Sequence, residues 1–352
     1  MEIINLLFSN SSVLGQYTLN SMNNPTKIER IDKALDSLAV HEEHCGLCPR
    51  ECGVNRKKGE RGYCRTGISA SLSHTLLHLG EEPILSGYSD CRVTKRAGRS
   101  CGSGTIFFTG CHLKCLFCQN YQLSWQGKGK PVSESELASM MLNLQNNGAL
   151  NINFVSPTHL IIPILKALKI AYTKGLRLPL VYNSNGYEKK DILRRLEGIM
   201  DLYLPDFKYF SDTVAQRYSN VDNYARFAKD AVQEMVKQRP VLITDEREIA
   251  QEGVIIRHLV LPGQTEDSQA VIEWLKRNID DSIGLSLMSQ YKPCFLAPQD
   301  LQRTLTPAEY EAVLVKAKEL DSAVLFFQPV SINPGKSLIP NFDRDDPFNW
   351  QD

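Results

Sequence analysis

The chain has 352 residues, 42% of them hydrophobic and 23% charged, ordinary values for a protein with a sizeable buried core. Lys plus Arg and Asp plus Glu each number 40, so the net charge is zero and gives no support to a nucleic-acid or membrane partner. The opening residues, MEIINLLFSNSSVLGQY, lack a basic stretch, so no signal peptide is expected, and no apolar run approaches the length of a membrane span. Ten cysteines, mostly clustered, without an export signal point to metal binding in a reducing compartment, and hence to a cytoplasmic protein.

In chain order, residues 1–40 comprise an Asn- and Ser-rich tail and a short helix, Lys27–Val40, with Ile31, Leu35 and Leu38 at helical spacing. Residues 41–70 hold Cys45, Cys48, Cys52 and Cys64 in HCGLCPRECGVNRKKGERGYCR, a stretch with no hydrophobic period. Such a loop has little core of its own, and a metal is a common way to hold one together. Four thiols close a coordination shell, which suits a structural zinc or a second iron–sulfur cluster; reduced cysteines without metal are the alternative. His41 and His44 read as loop histidines, and His74 and His78, four apart, as loop or core histidines rather than a metal-binding pair. Glu81–Glu82–Pro83 has no role assignable from pattern, and Arg92, Lys95, Arg96 and Arg99 read as solvated surface.

Thr105–Thr109 is a β-branched and aromatic run that reads as a buried strand. Gly110 ends it, and Cys111, Cys115 and Cys118 follow at C-x3-C-x2-C spacing. Three clustered thiols suit a soft metal or an iron–sulfur cluster with one iron left open; zinc or buried thiols are the alternatives. Cys91, Cys101 and Cys294 are isolated and carry no ligand role.

Helices and strands then alternate. Helices are expected at Ser133–Asn147 (N-capped by Ser133), Thr158–Lys174, Glu188–Glu197, Ser211–Tyr218, Asn223–Gln238, Glu266–Asn278 and Pro307–Leu320. Strands are expected at Asn151–Ser156, Leu178–Asn183, Met200–Pro205, Val254–Leu261, Ile283–Ser289 and Ala323–Phe327, with a small hairpin of Val241–Thr244 and Ile249–Glu252. The alternation predicts an α/β fold with a parallel sheet and outer helices over residues 71–335, and residues 336–352 read as a surface tail.

Polar residues gather where these strands end: Ser156 and Thr158, then Asn183 and Asn185, then Asp206 and Lys208. His159 reads equally well as an ordinary helix N-terminal residue. Arg257 is alone in an apolar strand and requires an anionic partner, because a buried unpaired charge is costly. His258 faces the other way, and Met288, Gln290 and Tyr291 are placed on the substrate side.

The C-x3-C-x2-C loop, with Phe117 before the third cysteine, resembles the signature of the radical S-adenosylmethionine (SAM) superfamily. GSGTIFFTGCHLKCLFCQNYQLS resembles the pyruvate formate-lyase activating enzyme-like branch, and NINFVSPTHL, LVYNSNGYE, DLYLPDFKYF and IRHLVLPG match that branch in the same order. The resemblance runs from about Cys45 to about Gln328 and implies a partial (β/α)6 TIM-like barrel beside a small cysteine-rich metal-binding segment. It further implies a [4Fe–4S] cluster on Cys111, Cys115 and Cys118, with SAM on its open iron. The SAM-facing residues would be Phe117, Ser156, Thr158, Asn183, Asn185, Asp206 and Lys208, with Arg257 on the SAM carboxylate. Related activating enzymes carry Gly-Gly-Glu where this chain has Ser156–Pro157–Thr158, which weakens that carry-over. The implied reaction is reductive cleavage of SAM to a 5′-deoxyadenosyl radical that takes hydrogen from a substrate. A glycyl residue of a partner enzyme is the implied protein substrate, and an electron donor such as flavodoxin or ferredoxin the implied reductant. The alternatives are a metal-stabilised binding or regulatory protein on the same fold, or radical modification of a small molecule or RNA.

Overall fold

The computed structural model describes residues 5–8, 24–88, 101–279, 282–328, 330 and 339–349. The strands in chain order are β1 (Asn5–Phe8), β2 (Ala70–His78), β3 (Ser103–Phe108), β4 (Lys130–Val132), β5 (Ile152–Val155) and β6 (Leu180–Ser184). They continue with β7 (Leu202–Pro205), β8 (Ile243–Thr244), β9 (Ala250–Leu259), β10 (Gly284–Met288) and β11 (Val324–Phe327). Strands β3, β5, β6, β7, β9, β10 and β11 pair in parallel in that order. Antiparallel strands flank them: β2 on β3, β4 on β2, and β1 on β11. The strand order ends at β1 and β4, which do not pair among the described residues, so the barrel stays open on one side. This is the expected partial barrel.

Local chemistry explains the outer helices. Ser133 and Glu136 form a reciprocal capping box at the start of Glu134–Asn146, and Thr306 and Glu309 do the same for Pro307–Lys318. Each cap satisfies backbone donors that a helix start leaves bare. Several boundaries differ from the sequence reading. The hairpin strand Ile249–Glu252 and the strand Val254–Leu261 are one strand, β9, which runs through Gly253 at a φ of +131°, a conformation open to glycine. The helix expected over Glu188–Glu197 shrinks to Lys190–Arg194, and Thr158–Leu160 forms a 3-10 turn ahead of the helix Ile161–Thr173. His74 and His78 lie on β2 rather than on a loop, and His78 packs on Phe107 and Phe348. Among the described residues no helix is long and apolar enough to cross a membrane.

Alternation along the strands builds two layers. One face (Ile106, Phe108, Phe154, Tyr182, Tyr203, Val254, Ile256 and Leu285) joins the main core under the helices. The other face turns into the barrel, where Val181, Leu202, Leu204, Ile255, Val324 and Phe326 close around Ile84 and Leu85. Those two residues belong to the short helix Pro83–Ser86, which is inserted as a plug; Asn151 Nδ2 donates to the Leu85 carbonyl at 2.9 Å. Two residues further along the same inward face come Asn183, Asp206, Arg257, Ser286 and Gln328, so a polar layer lies directly above the apolar one.

Within the stretch expected as a surface tail, residues 339–349 pack on the barrel at one point. Phe342 is buried against Phe107 and Leu123, with its N–H donated to Gln122 Oε1 at 2.7 Å. The basic run Arg92, Lys95, Arg96 and Arg99 and most of the N-terminal tail lie outside the described residues. The plug yields a direct test. Leu85 is fully buried, so Leu85→Ala should cost about 2–5 kcal/mol in denaturant unfolding; a loss below about 1 kcal/mol would show that the inner layer does not depend on it.

Candidate functional site

Above the plug lies a cavity of about 1410 Å³, roomier than the roughly 300–1,000 Å³ common for a single small ligand. Cys111, Cys115 and Cys118 line it together with Phe117, Ser156, Asn183, Asn185, Asp206, Lys208 and Arg257. Met288, Gln290 and Tyr291 line the same space.

The cysteine loop leaves the carboxyl end of β3 through Gly110, whose φ is +78°. A Cβ there would come within 2.5 Å of the Cys64 carbonyl and 2.6 Å of Thr66, so only glycine lets the cysteine-rich segment seat beneath the loop. That segment is tied down further: Arg50 donates to the His112 carbonyl at 3.1 Å, and Arg56 to the His159 carbonyl at 2.5 Å. Polar groups also reach the loop thiols. Leu113 N–H lies 3.4 Å from Cys111 Sγ, Asn185 Nδ2 3.6 Å from the same sulfur, and Ser124 Oγ 3.3 Å from Cys118 Sγ. Burial pushes the Cys111 thiol up and the Cys118 thiol up to about 12, so thiolates form here when a metal displaces the proton.

Asn185 is aimed by the turn that holds it. Gly186 takes a φ of +79°, and a side chain there would collide with the Asp206 carbonyl and the Tyr224 hydroxyl. Beneath the turn, Glu188 is fully buried and accepts from Thr158 Oγ1 and Ser184 Oγ at 2.5 Å each and from Tyr182 OH at 3.3 Å. Burial pushes its carboxyl up to about 7, against the pull of those three hydroxyls. Thr158, expected from the sequence to face SAM, gives its hydroxyl to this network instead and does not line the cavity. Ser156 does line it, in a left-handed conformation with φ +52° that costs a non-glycine residue energy.

Lys208 Nζ and Asp206 Oδ2 pair at 2.6 Å. Burial works against the ammonium, but Asp206 and the neighbouring Cys115 and Cys118 hold Lys208 well above its usual range. Arg257 finds its anions within the chain. Its Nε donates to Glu82 Oε1 at 2.8 Å, and its Nη2 pairs with both Glu82 and Glu81. Burial pushes the Glu82 carboxyl up, and Arg257 more than offsets it, so Glu82 is held ionised. The two-pronged edge of Arg257 is therefore taken by Glu82 rather than left for the SAM carboxylate. Pattern reading missed Glu81, Glu82 and Glu188; the available signals were a Glu pair awaiting a cation and an arginine awaiting an anion.

His159 donates to or accepts from nothing in the cavity: its Nε2 is 3.0 Å from the Thr109 carbonyl, and burial drops its pKa to about 3, so it is a neutral strap. His258 is likewise buried, bonded to the Phe207 carbonyl and held down at about 4 by burial. In the N-terminal segment Cys45, Cys48 and Cys64 are buried and Cys52 is exposed. Among the described residues no three His, Cys, Asp or Glu side chains converge as they would around a single ion. The donor chemistry of Cys111, Cys115 and Cys118 fits a cluster, which spreads its ligands over separate irons.

Fold and site together define an open parallel barrel that collects three thiols and a polar ring at the carboxyl ends of its strands. A profile of the Radical SAM superfamily matches residues 105–275. An uncharacterized protein of Methanocaldococcus jannaschii is 32% identical over 296 residues, 81% of this chain and 77% of that one. Among solved structures, a radical SAM methyltransferase from Sphaerobacter thermophilus is 9% identical with a TM-score of 0.45, over 64% of this chain and 66% of its own. Streptococcus suis SuiB bound to S-adenosylmethionine is 13% identical with a TM-score of 0.41, over 62% of this chain and 48% of its own. The region that matches the radical SAM superfamily, residues 105–275, holds the cysteine loop and the strands from β3 to β9.

Glu188 carries a pH prediction. Its folded pKa lies above the unfolded value of 4.5, so its contribution is fully present below pH 4.5 and is lost as pH rises through about 7. Relative to Glu188→Gln, the wild type should lose about 3 kcal/mol of unfolding free energy across that window. Parallel pH profiles for the two proteins would contradict the assignment.

Proposed function

We propose that the chain is a radical SAM enzyme in which Cys111, Cys115 and Cys118 hold a [4Fe–4S] cluster. The observation that carries the reading is that all three thiols open onto one large cavity shared with the polar ends of six parallel strands. When bound, the cluster and SAM supply a 5′-deoxyadenosyl radical that removes hydrogen from a substrate. The chain's own residues bind, orient and exclude water. Asn185 and Ser124 donate toward the Cys111 and Cys118 sulfurs that would hold the cluster, Lys208 places a positive charge beside Cys115 and Cys118, and Ser156, Asn183 and Asp206 would offer polar contacts to SAM. Phe117 packs edge-on against Tyr218 and Tyr291 and forms an apolar wall beside the cluster loop.

The substrate in this reading is a glycyl residue of a partner protein, by the resemblance of the five motifs, with flavodoxin or ferredoxin as reductant. In this reading the cysteine-rich segment holds its own zinc or iron–sulfur cluster, around which Cys45, Cys48, Cys52 and Cys64 would have to close, and Arg50 ties the segment to the loop above through the His112 carbonyl.

Anaerobic reconstitution, reduction and addition of SAM tests the proposal. The wild type should form 5′-deoxyadenosine, and Cys111→Ala, Cys115→Ala or Cys118→Ala should reduce it to background. A triple Ala variant that kept the wild-type rate would overturn the assignment. Metal analysis separates the two cysteine groups: the triple variant should retain zinc or iron at Cys45, Cys48, Cys52 and Cys64, and a metal-free variant would defeat the second site.

A further inference from the structure

Two buried cations lie where the cysteine-rich segment meets the barrel, and their nearest partners are thiols rather than carboxylates. Arg56 is only 4% exposed. Its Nη1 donates to the Gly67 carbonyl at 3.3 Å and to the His159 carbonyl at 2.5 Å, and its Nη2 lies 3.6 Å from Cys64 Sγ. No carboxylate is among these partners, and its Nε has no partner at all among the described residues. Lys114, also 4% exposed, sits 4.9 Å from the Tyr63 ring and 5.4 Å from the Trp125 ring. The ionisable groups that act on it most are the Arg65 and Arg50 guanidiniums and the Cys111 and Cys64 thiols.

A buried cation without an anion is costly, and carbonyl contacts satisfy its donors without neutralising its charge. We propose that the missing anion is a metal–thiolate centre in the cysteine-rich segment, with Arg56 as its counter-ion and Lys114 as a second cation shared with the cysteine loop. The proposal rests on the reading that Cys45, Cys48, Cys52 and Cys64 hold metal, and it assigns two residues outside the ligand set that hold such a centre in place.

The donor chemistry fits that charge. Four thiolates outweigh the positive charge of a zinc ion or of an iron–sulfur core, so either centre is a net anion. Cations and hydrogen-bond donors behind metal-bound ligands orient and tune a centre of this kind. Arg56 acts on two of the four sulfurs, touching Cys64 and reaching Cys45 through space. Thr66 Oγ1, 3.1 Å from Cys64 Sγ, adds a hydroxyl. Space is a separate observation. A Cβ on Gly62 would come within 2.4 Å of Cys52 Sγ, so glycine there leaves room for the exposed thiol of the four beside the turn that carries Cys64.

The test uses the full-length chain with Cys111, Cys115 and Cys118 changed to Ala, so that only the cysteine-rich segment binds. Zinc is the probe, measured in competition with a chromophoric chelator, because soft thiolates accept zinc whichever metal is resident. Arg56→Met should weaken zinc at least about tenfold, and Arg56→Lys, which keeps the charge, should recover part of that loss. Lys114→Met should weaken zinc about threefold, as the removal of a more distant charge. Melting of the same proteins gives a readout that a merely structural arginine would not move. The rise in melting temperature on adding zinc should be smaller in Arg56→Met than in the parent chain; a structural arginine would lower both temperatures equally. Lys114→Met leaves every Arg56 contact intact, so it remains informative if Arg56→Met fails to fold. Zinc affinity unchanged by Arg56→Met, or by Lys114→Met, would overturn the proposal and leave the metal site standing. A parent chain that binds no zinc would remove the metal site itself.

Discussion

An arginine on the inner wall of an open barrel has to be neutralised, and the organisation of this interior follows from how that is done. Arg257 draws Glu81 and Glu82 onto the wall, and the residues that follow them in sequence, Ile84 and Leu85, are carried into the barrel as its apolar plug. Removing one partner of such a buried pair typically costs 3–5 kcal/mol, because the other is left uncompensated. The ion triad and the plug are thus one device: burial of Ile84 and Leu85 favours insertion, and the triad fixes how far it goes. The cavity above inherits its depth and its charge from that arrangement.

A second constraint acts on the opposite wall. The cysteine loop is held from below by Arg50 of the cysteine-rich segment, through the His112 carbonyl, and from the side by Asn185, while Arg56 ties the same segment to the His159 carbonyl after β5. Gly110 and Gly186 permit both approaches, since each sits where a side chain would meet a neighbouring backbone carbonyl. Glu188 then fixes the Asn185 turn through Ser184 and Thr158. Preorganisation of this kind lets a site keep its polar groups in place without paying for their alignment at each turnover.

Much of the barrel was legible because β-branched runs and capped amphipathic helices alternate with a clear period, and the spacing of Cys111, Cys115 and Cys118 is specific. Asp206 and Lys208 were readable as a pair because alternate strand residues share a face. What escaped the sequence was set by distant partners. Glu81 and Glu82 sit about 175 residues from Arg257, and no local pattern links a Glu-Glu-Pro string to an arginine so far along the chain. Thr158 looked like a strand-end ligand, yet its hydroxyl goes to Glu188 on another turn. Phe342 lies in a Pro- and Asp-rich stretch that composition assigns to the surface, and only the aromatic pocket of Phe107 and Leu123 shows why it is buried.

The central claim is that the thiols of Cys111, Cys115 and Cys118 hold a cluster with a coordination position open to SAM. Electron paramagnetic resonance of the reduced, reconstituted protein tests this most directly, before any substrate is known. Addition of SAM should shift the spectrum of the reduced cluster in the wild type and in a variant lacking Cys45, Cys48, Cys52 and Cys64. A wild-type spectrum that SAM leaves unchanged would contradict the account.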